Sequence, residues 1–280
     1  MGSERLCITT HLQDLVITYL TNHIVLLPAM SPLTEDFLQQ YEERRSHYTL
    51  RAVRAEQTCR EVLANNHIPA IVSSRAKCPL RLRQKLEKRD EELHYLTEAD
   101  IYSNIYDLSG VRIAVYLPSH IQKASRLLQH AFIPQLVKVY GPPPNQITQD
   151  STPGVDGQEE DKDGRFALPG VRVQHVTRPT GYCATHLHVS LRPEAFSGER
   201  DSSGARAQVE IQLTSLLMHT WSEIEHDLVY KSIGGKSSEE EGQILNEINE
   251  CAAAGEALLR RLEESIAARN KKQERRCGRL

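Results

Sequence analysis

The chain has 280 residues, 39% of them hydrophobic and 25% charged, so it is long enough to bury a substantial core. Its formal net charge of −3 predicts no general attraction to nucleic acid or to an anionic membrane surface. The six cysteines are scattered, without a CxxC pair or a Cys/His ligand spacing. This pattern argues against a zinc site and against a disulfide scaffold.

The N-terminal segment contains the most apolar run of the chain. Residues 15–30 are interrupted by several polar residues and by Pro28, and Asp14 precedes them. The run is therefore too short and too polar to span a bilayer, and it fits a signal peptide poorly. We expect a cytoplasmic protein without a membrane partner, in which residues 1–33 form an N-terminal extension of uncertain order.

Helical patterns dominate the segment that follows. Thr34 is predicted to be the N-cap of a polar helix that runs to about Asn66. Residues 68–74 predict a short strand. Pro79 is predicted to open a very basic helix, because the fixed φ of proline suits the first helical turn.

Strand and helix patterns alternate in the middle of the chain. Helices are predicted at 119–131 and from Thr214 or Ser215 to about Lys231, and strands at 111–117, 136–140, 171–176, 183–191 and 208–213. Between them, residues 141–164 read as a disordered insertion and 197–206 as a polar loop. This alternation predicts an α/β (α+β) fold, with a mixed central β-sheet flanked by helices.

The last part of the chain, residues 239–269, predicts a long amphipathic helix with apolar residues near heptad spacing. Its apolar face could pack on its own domain or on a second copy of the chain. We therefore divide the chain into the extension 1–33, a domain over 34–236, and a C-terminal amphipathic helix with a basic tail over 237–280.

A strongly basic segment, residues 75–89, contains seven basic residues and one acid. A run of this kind is most often a solvated helix face. The alternative is a polyphosphate clamp. Arg75 and Lys77 would point to the same side of an extended segment, and Lys85 would approach the same phosphates from the following helix.

Two acidic residues lie in or beside predicted strands. Asp107 precedes the apolar strand VRIAVY, where an acid could simply form a turn. Glu210 lies within QVEIQL and faces away from Val209 and Ile211 if this segment is a strand. A carboxylate buried there needs a cation, which could be Mg²⁺ shared by two carboxylates and phosphate oxygens, or Arg112 in a salt bridge.

A fourth segment, GYCATHLHV at 181–189, combines a flexible backbone position with aromatic and imidazole side chains. Gly181 permits an unusual backbone before a strand and places Tyr182 at its start. His186 and His188 share one face of that strand. Each of these side chains could also be an ordinary packed or hydrogen-bonded residue.

Taken together and in this order, the segments resemble a known family. They are SSRAK at 73–77 with Lys85, IYDLSGVRI at 105–113, GYCATH at 181–186 and VEIQLTSLLMHTWSEIEHDLVYK at 209–231. The chain resembles the synthetase domain of the RelA/SpoT alarmone enzymes, and among them the small stand-alone synthetases, over about residues 35–265. The resemblance implies a nucleotidyltransferase-like fold. It also implies a pyrophosphokinase that moves the β,γ-diphosphate of ATP to the 3′-hydroxyl of GDP or GTP, releasing AMP and making (p)ppGpp.

The same resemblance implies roles for individual residues. The residues that would bind ATP are Arg75, Lys77, Lys85 and Arg112. Asp107 and Glu210 would hold Mg²⁺, and Glu210 is also the candidate base for the 3′-hydroxyl. The residues that would bind the acceptor are Tyr182, His186, Gln212 and Arg178, with Tyr182 stacking on the acceptor base.

The acceptor side departs from the family pattern at Thr180, Cys183 and Thr214. Three readings therefore stay open: a guanine nucleotide as acceptor, an adenine nucleotide or the 3′ end of tRNA as acceptor, or nucleotide binding without catalysis. No histidine and aspartate set of the hydrolase type precedes the synthetase motifs, so we expect a synthetase only. Because related synthetases often assemble, we expect a homodimer or homotetramer.

Overall fold

The computed structural model describes residues 30–141, 166–177, 181–192, 207–229 and 238–277, with side chains undescribed at 226–229 and 274–277. Several predictions fall wholly or largely on other residues: the N-terminal extension, the insertion at 141–164, the polar loop at 197–206, and Arg178. These lie outside the described residues, and the division into domains stays a prediction.

The described residues form seven helices and six strands. The helices are α1 Pro32–Glu43, α2 Arg45–Asn65, α3 Pro79–Leu93, α4 Glu98–Asn104, α5 His120–Ala131, α6 Leu216–Val229 and α7 Glu239–Cys277. The strands are β1 Ala70–Ala76, β2 Ser109–Val115, β3 Ile133–Tyr140, β4 Arg172–Val176, β5 Ala184–Ser190 and β6 Gln208–Ser215.

The strands make one six-stranded sheet in the order β1-β2-β6-β5-β3-β4. The pairs β2–β6 and β3–β4 are parallel, whereas the pairs β1–β2, β6–β5 and β5–β3 are antiparallel. The predicted mixed sheet flanked by helices is therefore confirmed. The last strand in chain order, β6, therefore lies near the centre of the sheet, between β2 and β5.

One face of the sheet is apolar and lies under α2 and α5. Alternate residues of β2 and β6, including Val111, Ile113, Ile211 and Leu213, are completely buried in this core. A second apolar cluster joins α1, α2, α3 and α4 through side chains such as Leu82. Because strand side chains alternate between faces, the intervening residues of the same strands are directed to the other side of the sheet.

Several local features differ from the sequence predictions. The first helix begins at Pro32 with Ser31 as its N-cap, rather than after Thr34. The single helix predicted to run to about Asn66 is interrupted at Arg44, which separates α1 from α2. The sequence reading also missed the short helix α4, which Thr97 and Asp100 start with a capping box. A helix of this length has too few turns for a detectable apolar period.

The C-terminal helix α7 is longer than predicted and ends at Cys277. Several of its apolar side chains are exposed, among them Ile244 and Leu262, and the predicted homo-oligomer remains a prediction. Across the described residues, we find no helix with both the length and the apolar character needed to cross a membrane.

A polar contact fixes α2 to the edge strand β1 and supplies a pH-dependent prediction. Glu56 accepts hydrogen bonds from Ser74 (2.5 Å) and from Arg60 (2.6 Å). The hydrogen bond from Ser74 is the largest influence, and together the contacts lower the pKa of Glu56 below 4.5. Because the folded-state pKa is depressed, this carboxylate adds stability above about pH 4.5, and that stability is lost as the pH falls through the folded-state pKa.

We therefore expect Glu56→Gln to lower the free energy of unfolding by about 1 kcal/mol at pH 7. The difference from the wild type should shrink in urea titrations repeated at decreasing pH below 4.5. Glu61→Gln, at an exposed position of the same helix, is the matched control and should change stability by less than about 0.5 kcal/mol. A loss that is equally large at pH 3 would contradict the assignment.

Candidate active site

The face of the sheet opposite the core carries a group of polar and charged side chains, which we call the polar face. Strand register places these residues in two neighbouring rows. The polar face consists of Arg75, Arg112, Lys138, His186, His188, Glu210 and Gln212. Five of the residues predicted for catalysis or nucleotide binding, Arg75, Arg112, His186, Glu210 and Gln212, therefore meet on one surface.

Glu210 lies at the centre of this face, between Gly110 of β2 and His188 of β5. Its Oε2 atom accepts a hydrogen bond from Gln212 (2.7 Å), and its Oε1 atom lies 3.4 Å from both His186 Nδ1 and His188 Nε2. Burial raises the pKa of Glu210, but the charges and hydrogen bonds of the two histidines outweigh it and hold the pKa well below 4.5. Glu210 is therefore ionised at neutral pH.

Asp107 lies just before β2 and is held by two lysines. Lys77 Nζ is 2.5 Å from Asp107 Oδ2, and Lys85 Nζ is 2.9 Å from Asp107 Oδ1. All three side chains are partly exposed, at 15–32% of their surface. Lys77 follows β1, and Lys85 comes from α3, so two of the three residues of the predicted clamp contact the predicted acid.

The two arginines of the predicted ATP site lie on β1 and β2. Arg112 forms an ion pair with Glu223 of α6, so the alternative of a salt bridge from Arg112 to Glu210 is wrong. Partial burial and the nearby charge of Arg112 lower the pKa of Arg75, against the opposing effects of Glu223, Asp107 and Glu210. Arg75 therefore interacts electrostatically with both predicted acids, Asp107 and Glu210.

The predicted acceptor residues form a chain of contacts that ends at Glu210. The Tyr182 hydroxyl and His186 Nε2 are 2.9 Å apart, while the other ring nitrogen of His186 faces Glu210. Tyr140 packs against both rings, with centroid distances of 5.5 Å to Tyr182 and 4.5 Å to His186. Lys138 pairs with His186 across β3 and β5.

The loop before β5 is held by α7 and by β6. Gly181 has φ +71°, and a Cβ atom built on it would clash with Nδ2 of Asn249 in α7. Thr214 donates a hydrogen bond from Oγ1 to the backbone oxygen of Cys183 (3.0 Å). Two of the positions that depart from the family pattern, Thr214 and Cys183, are therefore in direct contact.

This geometry predicts the effect of adding a side chain at Gly181. The left-handed backbone costs an alanine about 1–2 kcal/mol, and Asn249 must also move. We expect Gly181→Ala to displace the loop that carries Tyr182 and to weaken acceptor binding roughly 5- to 30-fold, measured as the acceptor KM. Adding Asn249→Ala should recover only the steric part of this loss.

Gly170 provides the matched control, because it has φ +81° but nothing within 4 Å of an added Cβ. Gly170→Ala should lower the melting temperature without changing the acceptor KM. If Gly181→Ala left the acceptor KM within twofold of the wild type, the assignment of this loop to the acceptor would be contradicted.

The residues that could hold a metal ion are the two predicted carboxylates. Among the described residues, no three His, Cys, Asp or Glu side chains form a group that could hold a metal on its own. Mg²⁺ usually binds one or two carboxylates together with substrate phosphates and water, rather than an all-protein cage. Asp107 and Glu210, next to a cationic cluster suited to phosphates, fit such a site in donor chemistry.

Sequence reasoning assigned no function to two residues that contact this site. The sequence analysis identifies His188 only as sharing a face with His186, and Tyr106 only as part of the motif IYDLSGVRI. The rings of Tyr106 and His188 stack at a centroid distance of 4.2 Å and an interplanar angle of 27°. The sequence signals for them were the aromatic residue directly before Asp107 and a second histidine two positions after His186.

Comparisons with known structures find several similar folds. Small alarmone synthetase 1 from Bacillus subtilis, solved with its product pppGpp, is 20% identical with a TM-score of 0.48, over 83% of this chain and 97% of that chain. A GTP pyrophosphokinase family protein from Streptococcus pneumoniae is 17% identical with a TM-score of 0.49, over 85% and 96%. Small alarmone synthetase 2 from Bacillus subtilis is 18% identical with a TM-score of 0.49, over 82% and 98%. With TM-scores below 0.5, these likenesses carry no argument about function.

A family model matches this chain over a longer stretch than any single motif. No curated protein matches the chain. The model of the region found in RelA / SpoT proteins matches residues 74–235, which contain Arg75, Asp107, Tyr182 and Glu210. This match covers more than half of the chain and confirms the resemblance seen in the motifs. The protein is therefore a member of the RelA/SpoT family.

Proposed function

We propose that the protein is a nucleotide pyrophosphokinase that transfers the β,γ-diphosphate of ATP to the 3′-hydroxyl of GDP or GTP. The products would be AMP and (p)ppGpp. The observation that carries this proposal is that Asp107, held by its two lysines, and the ionised Glu210 both act electrostatically on Arg75 of the polar face. Membership of the RelA/SpoT family supports the same reaction.

The cationic residues suit the donor nucleotide. A triphosphate brings several negative charges, and diphosphate transfer depends on positioning and charge stabilisation more than on covalent chemistry. Arg75, Lys77 and Lys85 would bind the phosphates of ATP, and Arg112 would add a charge whose direction is set by Glu223. When the phosphates arrive, the lysines have a second set of oxygens to bind besides those of Asp107.

The contact chain from Tyr182 to Glu210 suits the acceptor. Tyr182 would stack on the acceptor base, while His186 and Gln212 would line the pocket around the sugar. The acceptor 3′-oxygen would attack the β-phosphorus of ATP, and its proton would pass to the Glu210 carboxylate. A new P–O bond forms as the bond between the β-phosphorus and the α,β-bridging oxygen breaks, and AMP leaves with that oxygen.

Asp107 and Glu210 would also hold Mg²⁺, which when bound neutralises phosphate charge and favours the approach of an anionic acceptor. The low pKa of Glu210 suits this role, because a carboxylate that stays ionised remains available to a cation. The hydrogen bond that Gln212 donates to Glu210 Oε2 favours one orientation of this carboxylate.

A product assay tests the proposal. The purified protein, Mg²⁺ and ATP labelled in its β and γ phosphates are incubated in turn with GDP, GTP, GMP, ADP, ATP or tRNA, and the products are separated. We expect label on GDP or GTP together with an equal amount of AMP. Label that moves only to an adenine nucleotide or to tRNA would contradict the acceptor, and no transfer by folded protein would contradict the reaction itself.

A further inference from the structure

The Tyr106–His188 stack links two separate parts of the site. Tyr106 directly precedes Asp107 on the segment that leads into β2, whereas His188 belongs to β5. In the sheet, β6 lies between β2 and β5, and it carries Glu210 opposite His188. The stack therefore connects the segment of one acid to a direct neighbour of the other.

His188 has few other contacts that could explain a histidine at this position. The residue is only 3% exposed, and both of its ring nitrogens are buried without a hydrogen-bond partner among the described residues. Its Nε2 atom faces Glu210 Oε1 at 3.4 Å, which is longer than an ordinary hydrogen bond. A carboxylate only accepts hydrogen bonds, so this contact can become a hydrogen bond only in the tautomer that carries the proton on Nε2.

We propose that His188 is a positioning residue that fixes the direction of the Glu210 carboxylate, while Tyr106 ties the His188 ring to the segment of Asp107. This inference rests on the proposed function. A free glutamate side chain samples several rotamers, and ordering it during the reaction costs entropy. The stack and the Nε2–H group hold both acids in place before the substrates bind. Polar groups that are positioned in advance in this way make a large contribution to the rate enhancement by enzymes.

Two substitutions of His188 distinguish the contribution of the imidazole N–H group from that of the aromatic ring. His188→Phe keeps a ring that can stack on Tyr106 but has no donor for Glu210, whereas His188→Gln keeps an amide donor near the Nε2 position. We expect His188→Phe to lower kcat about 10- to 100-fold, as is typical when a partner of a metal-binding or reacting group is removed. The KM values for ATP and for the acceptor should stay within about twofold, because His188 is not among the residues proposed to bind either nucleotide.

Rescue distinguishes positioning from packing. His188→Gln should recover kcat to within about fivefold of the wild type, although it loses the stacked ring. His175→Phe is the matched control and should leave both constants unchanged, because His175 is exposed on β4 and pairs with Val139, which packs against the core. A His188→Gln variant no better than His188→Phe, or a His188→Phe loss that appears in KM or melting temperature instead of kcat, would overturn the proposal.

A spectroscopic measurement keeps this test independent of the reaction. In ¹⁵N spectra of histidine-labelled protein without metal or nucleotide, His188 should be the Nε2–H tautomer. Glu210→Gln should shift the His188 Nε2 resonance and leave the His175 resonances in place. If the wild type transferred no diphosphate to any acceptor, the proposed function would fail and these spectra alone would decide the positioning role. An unprotonated Nε2, or one that does not respond to Glu210→Gln, would overturn it.

Discussion

Glu210→Gln should reduce diphosphate transfer by about 100- to 10,000-fold, which is the usual contribution of a positioned acid or base. The substitution removes the charge that would bind a cation and the group that would accept the proton of the 3′-hydroxyl. It keeps the size of a side chain that is only 12% exposed. The change would be measured as kcat with saturating ATP and acceptor.

The fold should survive this substitution, because Gln212 can reverse its own amide and accept a hydrogen bond where it now donates one. Unfolding in urea, followed by circular dichroism, would check this point. Glu250→Gln is the control, since Glu250 is exposed on α7 and should leave kcat unchanged. Activity of Glu210→Gln within threefold of the wild type would exclude Glu210 from both assigned roles.

Trp221→Ala should lower the free energy of unfolding by about 3–5 kcal/mol, the range observed when large buried side chains are truncated. Trp221 is 2% exposed in α6, and its Nε1 atom donates a hydrogen bond to the backbone oxygen of Leu245 in α7 (3.0 Å). Proteins of this size have only about 5–15 kcal/mol of net stability, so the loss would be a large share. It would be measured by urea unfolding at 25 °C.

Two further variants separate the contributions of Trp221. Trp221→Phe keeps an aromatic ring and loses the hydrogen bond, so it should cost about 1–2 kcal/mol. Leu258→Ala, at a position of α7 that is 60% exposed, should change stability by less than about 0.5 kcal/mol. A Trp221→Ala loss below 1 kcal/mol would mean that α6 and α7 do not pack as described.

Local sequence predicted those features of the site that depend on strand period. The alternation in QVEIQL placed Glu210 and Gln212 opposite Val209 and Ile211, and the structure has this arrangement because strand side chains alternate strictly. The start of α6 was also predicted, since Ser215, one of the two predicted caps, accepts a hydrogen bond from the backbone N–H of Met218 at the first turn. The strand β6 runs to Ser215, two residues beyond its predicted end.

Contacts that depend on strand order could not be predicted in the same way. The pairing of Arg112 with Glu223 and the stacking of Tyr106 on His188 join residues far apart in the chain. Composition near each residue contains no information on which strand becomes its neighbour. The association of Lys77 and Lys85 with Asp107 was available only from the family resemblance, which identified all three as members of one nucleotide site.

The pairing of β2 with β6 also constrains the order in which the molecule assembles. These central strands are separated by about 100 residues that include β3, β4 and β5, so their pairing closes a long loop at an entropic cost. Chains rich in such non-local pairings fold slowly. We therefore expect the two acids to come together late in folding, after the helices and local strand pairs have formed. Newly made protein should gain its secondary structure before it gains its activity.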